Sequence, residues 1–369
     1  MQLIKANRDA LLKPITTVAG IVERRHTLPI LANILLRKRG NKVSFIATDL
    51  EVQITATATF GIGEDDVDLT VAARKLLDIL RALPASEDIT LSQAPNKLIV
   101  QCGKSRFSLQ TLTAAEFPTL AEPKTVDVGI TLPQKNLKHL FAMTHYAMAQ
   151  QDIRYYLNGS LMVFEPNALH AVATDGHRLA HCFCTVEGID AATEIIMPRK
   201  TVLELQRLLE DNDEPVKIDV GPGQVRYQFD DVELISKLVE GKFPDYKRVI
   251  PTNYTQHFDV SREALLASFQ RASIMSTDKL RSVRFQLADN TLTASSTNAE
   301  QEEALEEIEI DYAFAPLDVG FNVSYLLDFL SNIKDETVRW SVMPDANASA
   351  LLSLPDDDSF QYVVMPMRI

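Results

Sequence analysis

The sequence predicts an α+β fold built from three copies of one domain, each with two helices on antiparallel sheet. The first observation behind this is that unrelated motifs recur at a constant spacing. ATD occurs at 47–49 and again at 173–175, and LLDIL at 76–80 returns as LLDFL at 326–330. The second is that stretches of alternating apolar and polar residues, typical of strands, lie between the two amphipathic helices of each copy.

The shared offset of about 125 residues predicts domains at 1–125, 126–253 and 254–369. EFPTL at 116–120 and KFPDY at 242–246 follow the same offset. The segments LAEPKTVD and VIPTNYTQ, between successive copies, contain the proline and polar residues typical of linkers. A chain of 369 residues is also too long for one ordinary core, so several domains are expected.

Each copy is expected to begin with a strand and a helix. In the first copy this helix begins near Asn7, and DALLKPITTV corresponds to KNLKHLFAMT and EALLASFQRA in the later copies. The second helix begins near Ala73, where apolar residues form one stripe and Arg74, Asp78 and Arg81 line the opposite face. KVSFIA and VQITATATF alternate with period two, as strands of a half-buried sheet do. The result is a layer of helices over antiparallel sheet.

The distribution of charge favours a polyanionic partner. The chain carries a net charge of −13, which by itself argues against nucleic acid because phosphate binding needs Lys and Arg. The six predicted helices, however, contain thirteen basic and five acidic residues, a net charge of +8, so the rest carries −21. Solvated helix faces are the simpler reading, but glutamate favours helices as much as lysine does, so propensity does not explain the sign. A positive helical surface inside an acidic shell suits a polyanion approached from one side.

Three sheet-bearing copies in a row leave exposed edge strands, which tend to pair. If a constant rotation relates the copies, two chains can close a ring head to tail, with helices inside and sheets outside. The residues expected at the interface between the chains are Lys75, Arg106, Phe107, Leu109, Ile274, Met275, Glu300 and Glu303. The acidic run 300–307 is the expected partner of the two basic residues, although a solvated strand or loop has the same composition.

The stretch VATDGHRLAHCFC at 172–184 contains the residue types of an acid–base or metal site. Its Asp175 has a counterpart in Asp49 of the first copy, where the neighbouring residues differ. We therefore expect both carboxylates to accept hydrogen bonds from backbone N–H groups of a turn. His177 and Arg178 belong to the second copy alone and favour a binding role, with a purely structural role and catalysis as the alternatives.

Other chemical signatures are incomplete. The GKS of CGKSRF lacks the earlier glycine of a phosphate-binding loop, so no ATP site is expected. Cys182 and Cys184 lie two apart on a predicted strand and are expected to be buried thiols rather than redox or metal ligands. The acidic clusters at 63–68 and 355–359 are expected to be surface turns rather than cation sites. No metal, cofactor, membrane span or secretory signal is predicted.

From end to end the chain contains the stretches TLPIL, ATDLE, RFSL, FPTL, QDIRYYLNG, ATDGHRLA, KFPDYKRVIP, GFNVSYLLD and YVVMPMRI. Together these resemble the bacterial sliding-clamp family, the β subunits of the replicative DNA polymerase. The resemblance implies three DNA-clamp domains per chain, a six-domain ring formed by a head-to-tail homodimer around duplex DNA, and a non-catalytic, cytoplasmic processivity factor. It implies as partners double-stranded DNA of any sequence, a clamp loader, replicative and other DNA polymerases, and repair proteins that dock through a short peptide.

The resemblance also implies which residues act. A peptide-binding pocket between the second and third copies would use Leu157, Thr174, Gly176, His177, Arg178, Leu179, Pro244, Arg248, Val249, Leu280, Asn322, Tyr325, Val363, Val364, Met365, Pro366, Met367 and Arg368. Contacts to DNA, mostly to phosphate, would use Arg25, Gln151, Tyr155 and Tyr156 beside the helical Arg74, Arg199, Lys200 and Arg207.

Several details of these residues carry their own expectations. The arginines of the pocket can bind a peptide carboxylate or carbonyl groups. Tyr155 and Tyr156 are expected to alternate on a strand, so that at least one of them faces the core. Two positions depart from the family pattern, since Leu280 stands where an aromatic residue is common and Ile369 replaces a terminal leucine.

Two other classes of function stay open at this point. A hydrolase or nuclease would be built on Asp175 and His177 and would lose turnover in a folded Asp175→Ala variant. A repeat-built scaffold would bind only proteins and would not be retained on circular DNA.

Overall fold

The computed structural model describes residues 1–23, 28–276 and 281–368, and within them the chain forms six α-helices and 24 β-strands. The helices are α1 (Arg8–Ala19), α2 (Ala73–Ala82), α3 (Gln134–Thr144), α4 (Arg199–Leu208), α5 (Arg262–Ala272) and α6 (Val323–Asn332). Each copy contributes two helices, and the α+β class is confirmed.

The strands also divide evenly, eight to a copy. The first copy contains β1 (Gln2–Asn7), β2 (Asn33–Arg39), β3 (Lys42–Thr48), β4 (Val52–Ala58), β5 (Val67–Ala72), β6 (Asp88–Ala94), β7 (Lys97–Cys102) and β8 (Ser105–Leu112). The second contains β9 (Val128–Pro133), β10 (Gly159–Glu165), β11 (Ala168–Thr174), β12 (Arg178–Thr185), β13 (Thr193–Pro198), β14 (Pro215–Gly221), β15 (Gln224–Phe229) and β16 (Val232–Lys237). The third contains β17 (Gln256–Ser261), β18 (Ser282–Ala288), β19 (Thr291–Thr297), β20 (Glu303–Glu309), β21 (Leu317–Asn322), β22 (Thr337–Val342), β23 (Ala350–Leu354) and β24 (Asp357–Val364).

The chain divides into two compact units. The first comprises Met1–Lys135 and Arg207–Leu238, and it holds one twelve-stranded sheet in the order β1-β6-β7-β8-β5-β2-β3-β4-β16-β15-β14-β9. The second comprises Asn136–Gln206 and Val239–Ile369. It holds an eight-stranded sheet, β13-β10-β11-β12-β24-β23-β22-β17, and a four-stranded sheet, β20-β19-β18-β21. Of the second copy's strands, β9 and β14–β16 belong to the first unit and β10–β13 to the second. The boundaries between the three domains stay a prediction.

Within each unit, neighbouring copies are joined by one antiparallel strand pair. In the first unit β4 pairs with β16, from Val52 opposite Ser236 to Ala56 opposite Val232. In the second unit β12 pairs with β24 in the corresponding register, with Arg178 opposite Val364. Both pairs continue a sheet from one copy into the next, so each junction is held by backbone hydrogen bonds as well as by side chains.

The predicted helix α2 and its apolar stripe are confirmed. Leu76, Leu77 and Leu80 are buried, whereas Arg74 and Arg81 are exposed on the opposite face. The corresponding helix α6 buries Leu326, Phe329 and Leu330 in the third copy. Helix α1 begins after Asn7, whose side chain accepts a hydrogen bond of 2.8 Å from the backbone N–H of Ala10. The cores therefore lie between these helices and the sheets beneath them. No helix in the described part of the chain is long and apolar enough to span a membrane.

Candidate peptide-binding site and nucleic-acid surface

The ATD motif forms the same turn in the first copy and in the second. Oδ1 of Asp175 accepts hydrogen bonds from the backbone N–H groups of His177 (2.9 Å) and Arg178 (3.1 Å). Oδ1 of Asp49 accepts the corresponding bonds from Glu51 (2.9 Å) and Val52 (2.7 Å). The expectation that both carboxylates are turn acceptors is confirmed.

The third copy has a related turn that is one residue longer, and its motif reads STN. Oδ1 of Asn298 accepts a hydrogen bond of 2.8 Å from the backbone N–H of Glu302. An amide oxygen is thus a backbone acceptor at the position where the other copies have a carboxylate. This favours a structural role for Asp175 over a catalytic one.

Replacing either aspartate should lower stability without removing any catalytic activity. We expect Asp49→Ala to lower the free energy of unfolding by about 1 kcal/mol, because two backbone N–H groups lose their acceptor. Asp175→Ala should cost more, since its other oxygen lies 3.2 Å from Nε of Arg178. Equilibrium denaturation measures both. A nuclease or esterase activity present in the wild-type protein and lost only in Asp175→Ala would contradict this assignment.

Arg178 is nearly buried and is held by several groups of the protein. Its side chain is 9% exposed; Nη1 lies 2.6 Å from Oδ2 of Asp328, and Nη2 donates a hydrogen bond of 2.6 Å to the carbonyl of Tyr146. The guanidinium carbon lies 4.3 Å from the ring centroid of Tyr325. Burial opposes its charge, but the acidic groups of Tyr362, Asp328 and Asp175 outweigh burial and raise the pKa of Arg178. Arg178 therefore has several acceptors inside the protein, and its binding of a peptide carboxylate stays a prediction.

A small cavity of about 110 Å³ opens beside this turn in the second unit. Its apolar wall consists of Tyr156, Leu157, Leu179, Phe243, Pro244, Tyr246, Val249, Val363 and Met365. Its polar side consists of Arg154, Thr174, Gly176, His177 and Arg178. Several of the apolar residues belong to one buried cluster of the second unit, which includes Leu157, Phe243 and Val363. A preformed apolar cavity with a few polar groups at its edge suits one apolar side chain of a ligand.

The C-terminal tail lies between this cavity and a larger one. The backbone N–H of Met365 donates a hydrogen bond of 2.9 Å to the carbonyl of His177, and that of Met367 donates one of 2.7 Å to Gly320. The second cavity, of about 580 Å³, is lined by Asp318, Val319, Gly320, Ala346, Asn347, Ser349, Met365, Pro366, Met367 and Arg368. Few backbone contacts hold the described part of the tail here, and methionine side chains are flexible, so the surface can adapt to a ligand.

Most of the residues that the sequence assigns to the pocket line one of these two cavities. Four of them do not. Tyr325 stacks on His177 with ring centroids 6.5 Å apart, and Asn322 caps α6 by accepting a hydrogen bond from the backbone N–H of Ser324. Val364 is buried in β24, whereas the Arg248 side chain is 86% exposed and pairs with Asp245 at 2.9 Å. Leu280 lies outside the described residues.

Sequence reasoning missed four residues that line the smaller cavity, namely Arg154, Tyr156, Phe243 and Tyr246. A signal for Phe243 and Tyr246 is present, because they flank Pro244 and Asp245 in KFPDY, a stretch that repeats EFPTL and contains a predicted pocket residue. Tyr156 was expected on a strand and assigned to DNA contact. That strand is wrong, since Tyr155–Leu157 form a short 3-10 turn.

The side chains of Asp152 and Asn158 explain this turn. The backbone N–H of Asp152 donates to Oδ1 of Asn158, and the side-chain amide of Asn158 donates to the carbonyl of Asp152, both at 2.9 Å. The segment between them cannot extend into a strand while these bonds persist. Tyr155 is 57% exposed and Tyr156 packs on the buried cluster, so the expectation that one of the two faces the core is confirmed.

Two histidines stack at the strand junction of the second unit. Nδ1 of His170 lies 3.0 Å from Nε2 of His181, and the rings are 5.3 Å apart and nearly parallel. Burial lowers the pKa of His181 to about 4; a hydrogen bond to Gln361 opposes the shift, and charge on His170 and Lys247 adds to it. Burial also lowers the pKa of His170, against the effect of Glu165. His181 is therefore neutral at pH 7.

This buried imidazole makes stability depend on pH. The unfolded chain protonates His181 near pH 6.5 and the folded chain near pH 4, so the unfolded state binds more protons between these values. Stability from this group is complete above about pH 6.5 and is lost as the pH falls towards 4. We expect wild type to lose about 1–2 kcal/mol more than His181→Phe between pH 7 and pH 5 in urea unfolding. His139→Phe, at an exposed histidine, should keep the wild-type loss. Equal losses in wild type and His181→Phe would contradict the assignment.

The cysteines are thiols without a reactive environment. Cys182 is buried and Cys184 half-buried on β12, and all three cysteines of the chain are free. Burial raises the pKa of Cys184 to about 11 and raises that of Cys182 further. Their thiols therefore stay protonated at pH 7. The expectation of buried thiols is confirmed for Cys182 and partly for Cys184. In the part of the chain that the structure covers, no group of His, Cys, Asp and Glu side chains has the arrangement of a metal site.

Positive charge is concentrated on the helices of the first two copies. Helix α6 ends at Asn332, so Lys334, which the sequence placed in that helix, lies beyond it, and the six observed helices carry +7 rather than +8. The helices carry +3 in the first copy, +4 in the second and zero in the third. A polyanion would therefore be attracted mainly by the first two copies.

The basic residues assigned to DNA differ in how accessible they are. Arg74 is exposed on α2, and Gln151 and Tyr155 are exposed as well. Arg207 is exposed although its Nη2 donates a hydrogen bond of 2.7 Å to the carbonyl of Thr17, and Lys200 is half-buried. Arg25 lies outside the described residues.

Arg199 is half-buried and, like Arg207, donates to carbonyl groups inside the protein. Its Nη1 donates long hydrogen bonds of 3.4 and 3.3 Å to the carbonyls of His145 and Met148. Burial and the nearby positive charge of Arg178 lower its pKa. These carbonyls lie in the segment that follows α3, so Arg199 holds that segment in place. Its assignment to DNA contact stays a prediction.

Sequence and structure comparisons decide the family. Three sequence models match successive parts of the chain: the N-terminal domain of the DNA polymerase III beta subunit at residues 1–121, its central domain at 131–245 and its C-terminal domain at 247–368. The chain belongs to the DNA polymerase III β subunit family. It therefore contains three clamp domains and is a non-catalytic processivity subunit, as the sequence predicts.

Individual relatives agree over full length. The beta sliding clamp of Pseudomonas putida is 46% identical over 364 residues, and that of Escherichia coli K12 is 41% identical over 362 residues. Each alignment covers 98% of this chain and 98% of the relative. A crystal structure of the DNA polymerase sliding clamp from Pseudomonas aeruginosa with ligand has a TM-score of 0.95, at 42% identity, with all of both chains covered.

For a member of this family, the strand edges at the two ends of the repeat are informative. Among the described residues, β20 forms the edge of its sheet, with β19 as its neighbour. Strand β8 pairs with β7 along Ser105–Gln110, but its ladder with β5 includes only Leu112 and Thr111. Ile274 is 73% exposed and Leu305, on β20, is 64% exposed. An exposed edge bordered by large apolar side chains is typical of a surface that another chain covers.

The other residues assigned to this interface lie at the same two places. Lys75 on α2 and Arg106 on β8 are exposed, as are Glu300 and Glu303. Phe107 is half-buried, Leu109 is buried on β8, and Met275 is half-buried beside Ile274.

Proposed function

We propose that two copies of this chain close head to tail into a ring around duplex DNA, and that each tail pocket holds a peptide of a DNA-processing protein. The observation that carries the proposal is the position of the two incompletely paired strands in the repeat. Strands β4, β12 and β20 correspond to one another, as do β8, β16 and β24. Two of the three possible junctions, β4–β16 and β12–β24, form within the chain. The third, β20 with β8, needs a second chain.

The internal junctions also give the register of the proposed one. Gln53, Leu179 and Glu303 correspond, because each lies opposite the threonine that ends the preceding strand. In the first unit Gln53 lies opposite Ile235, whose counterpart in β8 is Ser108. The proposed pair therefore places Glu303 opposite Ser108.

This register determines which charged residues meet. With Glu303 opposite Ser108, Arg106 lies opposite Leu305, between Glu303 and Glu307 on the same face of the sheet. Phe107 and Leu109 lie on the other face, towards the helix side and Ile274. The predicted interface residues thus fall into one basic–acidic set and one apolar set, which supports the assignment of Arg106, Phe107, Leu109, Ile274 and Glu303.

The DNA contacts follow from the charge of the helices. Lysines and arginines on α1–α4 would bind phosphate without reading bases, so the ring slides while many weak, screened contacts hold it. Retention comes from the closed ring rather than from affinity. Because the sequence contains no phosphate-binding loop, a separate clamp loader must open the ring. The proposed ring encircles bacterial chromosomal DNA, so the cytoplasm is the proposed location.

The two cavities beside the tail would hold the partner peptide. The smaller one accepts an apolar side chain, and the larger one accepts the neighbouring residues beside Gly320 and the tail. We propose that the peptide belongs to replicative and other DNA polymerases and to repair proteins. Affinity per site is expected to be on the order of micromolar, and two sites per ring raise the effective concentration of partners at the DNA.

The solution mass tests the ring directly. Sedimentation equilibrium should give twice the 41.2 kDa of the chain at micromolar concentration. A monomer at all accessible concentrations would overturn the proposal.

A further inference from the structure

The junction of the second and third copies contains an ion pair that has no equivalent at the proposed junction between chains. In the second unit Arg178, at the start of β12, lies 2.6 Å from Asp328 on α6, and its guanidinium covers the ring of Tyr325. The Arg178 side chain is 9% exposed, so this contact is well shielded from solvent. It ties the first residue of one junction strand to a helix of the next copy.

The counterpart of Arg178 in the third copy is Glu302. Both residues follow the repeated turn: the backbone N–H of Arg178 donates to Oδ1 of Asp175, and that of Glu302 donates to Oδ1 of Asn298. Both also precede the residue that lies opposite the last threonine of the neighbouring strand. A basic residue at the internal junction is thus replaced by an acidic one at the proposed junction.

The counterparts of Asp328 and Tyr325 in the first copy are Asp78 and Lys75. Helices α6 and α2 have ten residues each and begin at Val323 and Ala73, an offset of 250 that maps Asp328 onto Asp78. Asp78 and Lys75 are both exposed on α2. The acidic residue of the internal ion pair is therefore kept, while its basic partner is not.

We propose that the junction between chains brings Glu302 of one chain against Asp78 of the other, and that this repulsion between like charges keeps the ring easy to open. The inference rests on the proposed head-to-tail dimer. Lys75 lies three residues before Asp78 on one helix face, so it attracts Glu302 while Asp78 both repels Glu302 and competes for the same lysine. The carboxylate of Glu302 is held at this place by the side-chain amide of Asn298, at 2.6 Å.

The position fits what a ring must do. The internal junctions lie within one chain and need not open for DNA to enter, and the second of them has the attractive Arg178–Asp328 pair. The junctions between chains must open for DNA to enter. A repulsive contact there lowers the work of opening without weakening the backbone pairing of β20 and β8 that restores the register on closing.

The test is the dissociation constant of the dimer for Asp78→Asn. We expect the dissociation constant to fall about threefold at 50 mM salt, because two like-charge contacts per ring are removed. The difference should vanish in 1 M salt, where exposed charges are screened. Glu187→Gln, which removes an exposed carboxylate from the second copy, should leave the constant unchanged. In a Glu302→Gln background, Asp78→Asn should have a smaller effect than in wild type.

The outcomes separate this inference from the proposed dimer. If wild type and Glu187→Gln dimerise and Asp78→Asn dimerises equally or less tightly, the repulsion is refuted while the ring stands. If the effect of Asp78→Asn is the same with and without Glu302, the assigned partner is wrong. If no variant forms a dimer, the ring itself fails.

Discussion

Deletion of residues 365–369 should remove peptide binding and leave the dimer intact. The tail lines both cavities, and its backbone contacts with His177 and Gly320 separate one cavity from the other. Without Met365 and Met367 the apolar wall of the site is lost on one side. We expect the affinity for a clamp-binding peptide to fall at least about a hundredfold, consistent with the loss of about 3 kcal/mol of apolar contact. Fluorescence anisotropy with a labelled peptide measures this.

The same deletion gives a functional result. Stimulation of a DNA polymerase should be lost, while the mass in sedimentation remains that of the dimer, because the tail lies outside β20 and β8. Arg248→Ala is the matched control at the rim, since its side chain is 86% exposed and pairs only with nearby Asp245 among the contacts described. It should change the affinity by no more than a few fold. Unchanged stimulation by the deleted protein would refute the pocket assignment.

Ile274→Asp should convert the dimer into folded monomers. Ile274 is 73% exposed in the single chain and adjoins β20 through the short turn that follows α5. In the proposed ring it packs near Phe107 of the partner chain, so the substitution removes apolar burial and adds a desolvated charge at two places. We expect the dissociation constant to rise at least a hundredfold, because burying one isoleucine side chain contributes about 2 kcal/mol.

An equivalent substitution elsewhere provides the control. Ile153 is 96% exposed in the second copy, and Ile153→Asp should leave the dimer mass unchanged. Thermal unfolding distinguishes a folded monomer from a misfolded one, since Ile274→Asp should keep a cooperative transition. A dimer of wild-type stability in Ile274→Asp would remove Ile274 from the interface and contradict the proposed pairing of β20 with β8.

The repeated elements could be predicted from the sequence because their signals are local. The stripe of α2 follows from the spacing of Leu76, Leu77 and Leu80, and the role of Asp175 followed from its second appearance as Asp49. Periodicity and repetition both reflect physical requirements of the fold itself, namely burial and turn closure. The repeat also predicted exposed edge strands, because three copies in one chain form two junctions and leave a junction strand at each end without a partner copy.

The contacts that could not be predicted join distant parts of the chain. Arg178 has a partner in Asp328, which lies 150 residues away, and nothing near Arg178 in sequence indicates it. Likewise, the carbonyls that accept hydrogen bonds from Nη1 of Arg199 lie 51 and 54 residues earlier. Tyr155 and Tyr156 were expected on a strand. The hydrogen bonds between Asp152 and Asn158 that curl their segment leave no periodic pattern in the sequence, so they could not be predicted.

Retention on DNA of different topology tests the central claim most directly. The protein is loaded by a bacterial clamp loader onto a nicked circular plasmid, separated from free protein by gel filtration, and the plasmid is then cut once with a restriction enzyme. A closed ring should stay with the circle and leave the linear product within minutes, because only the ends allow it to slide off. Equal retention on circular and linear DNA would show that local affinity holds the protein, and would contradict a ring that encircles the duplex.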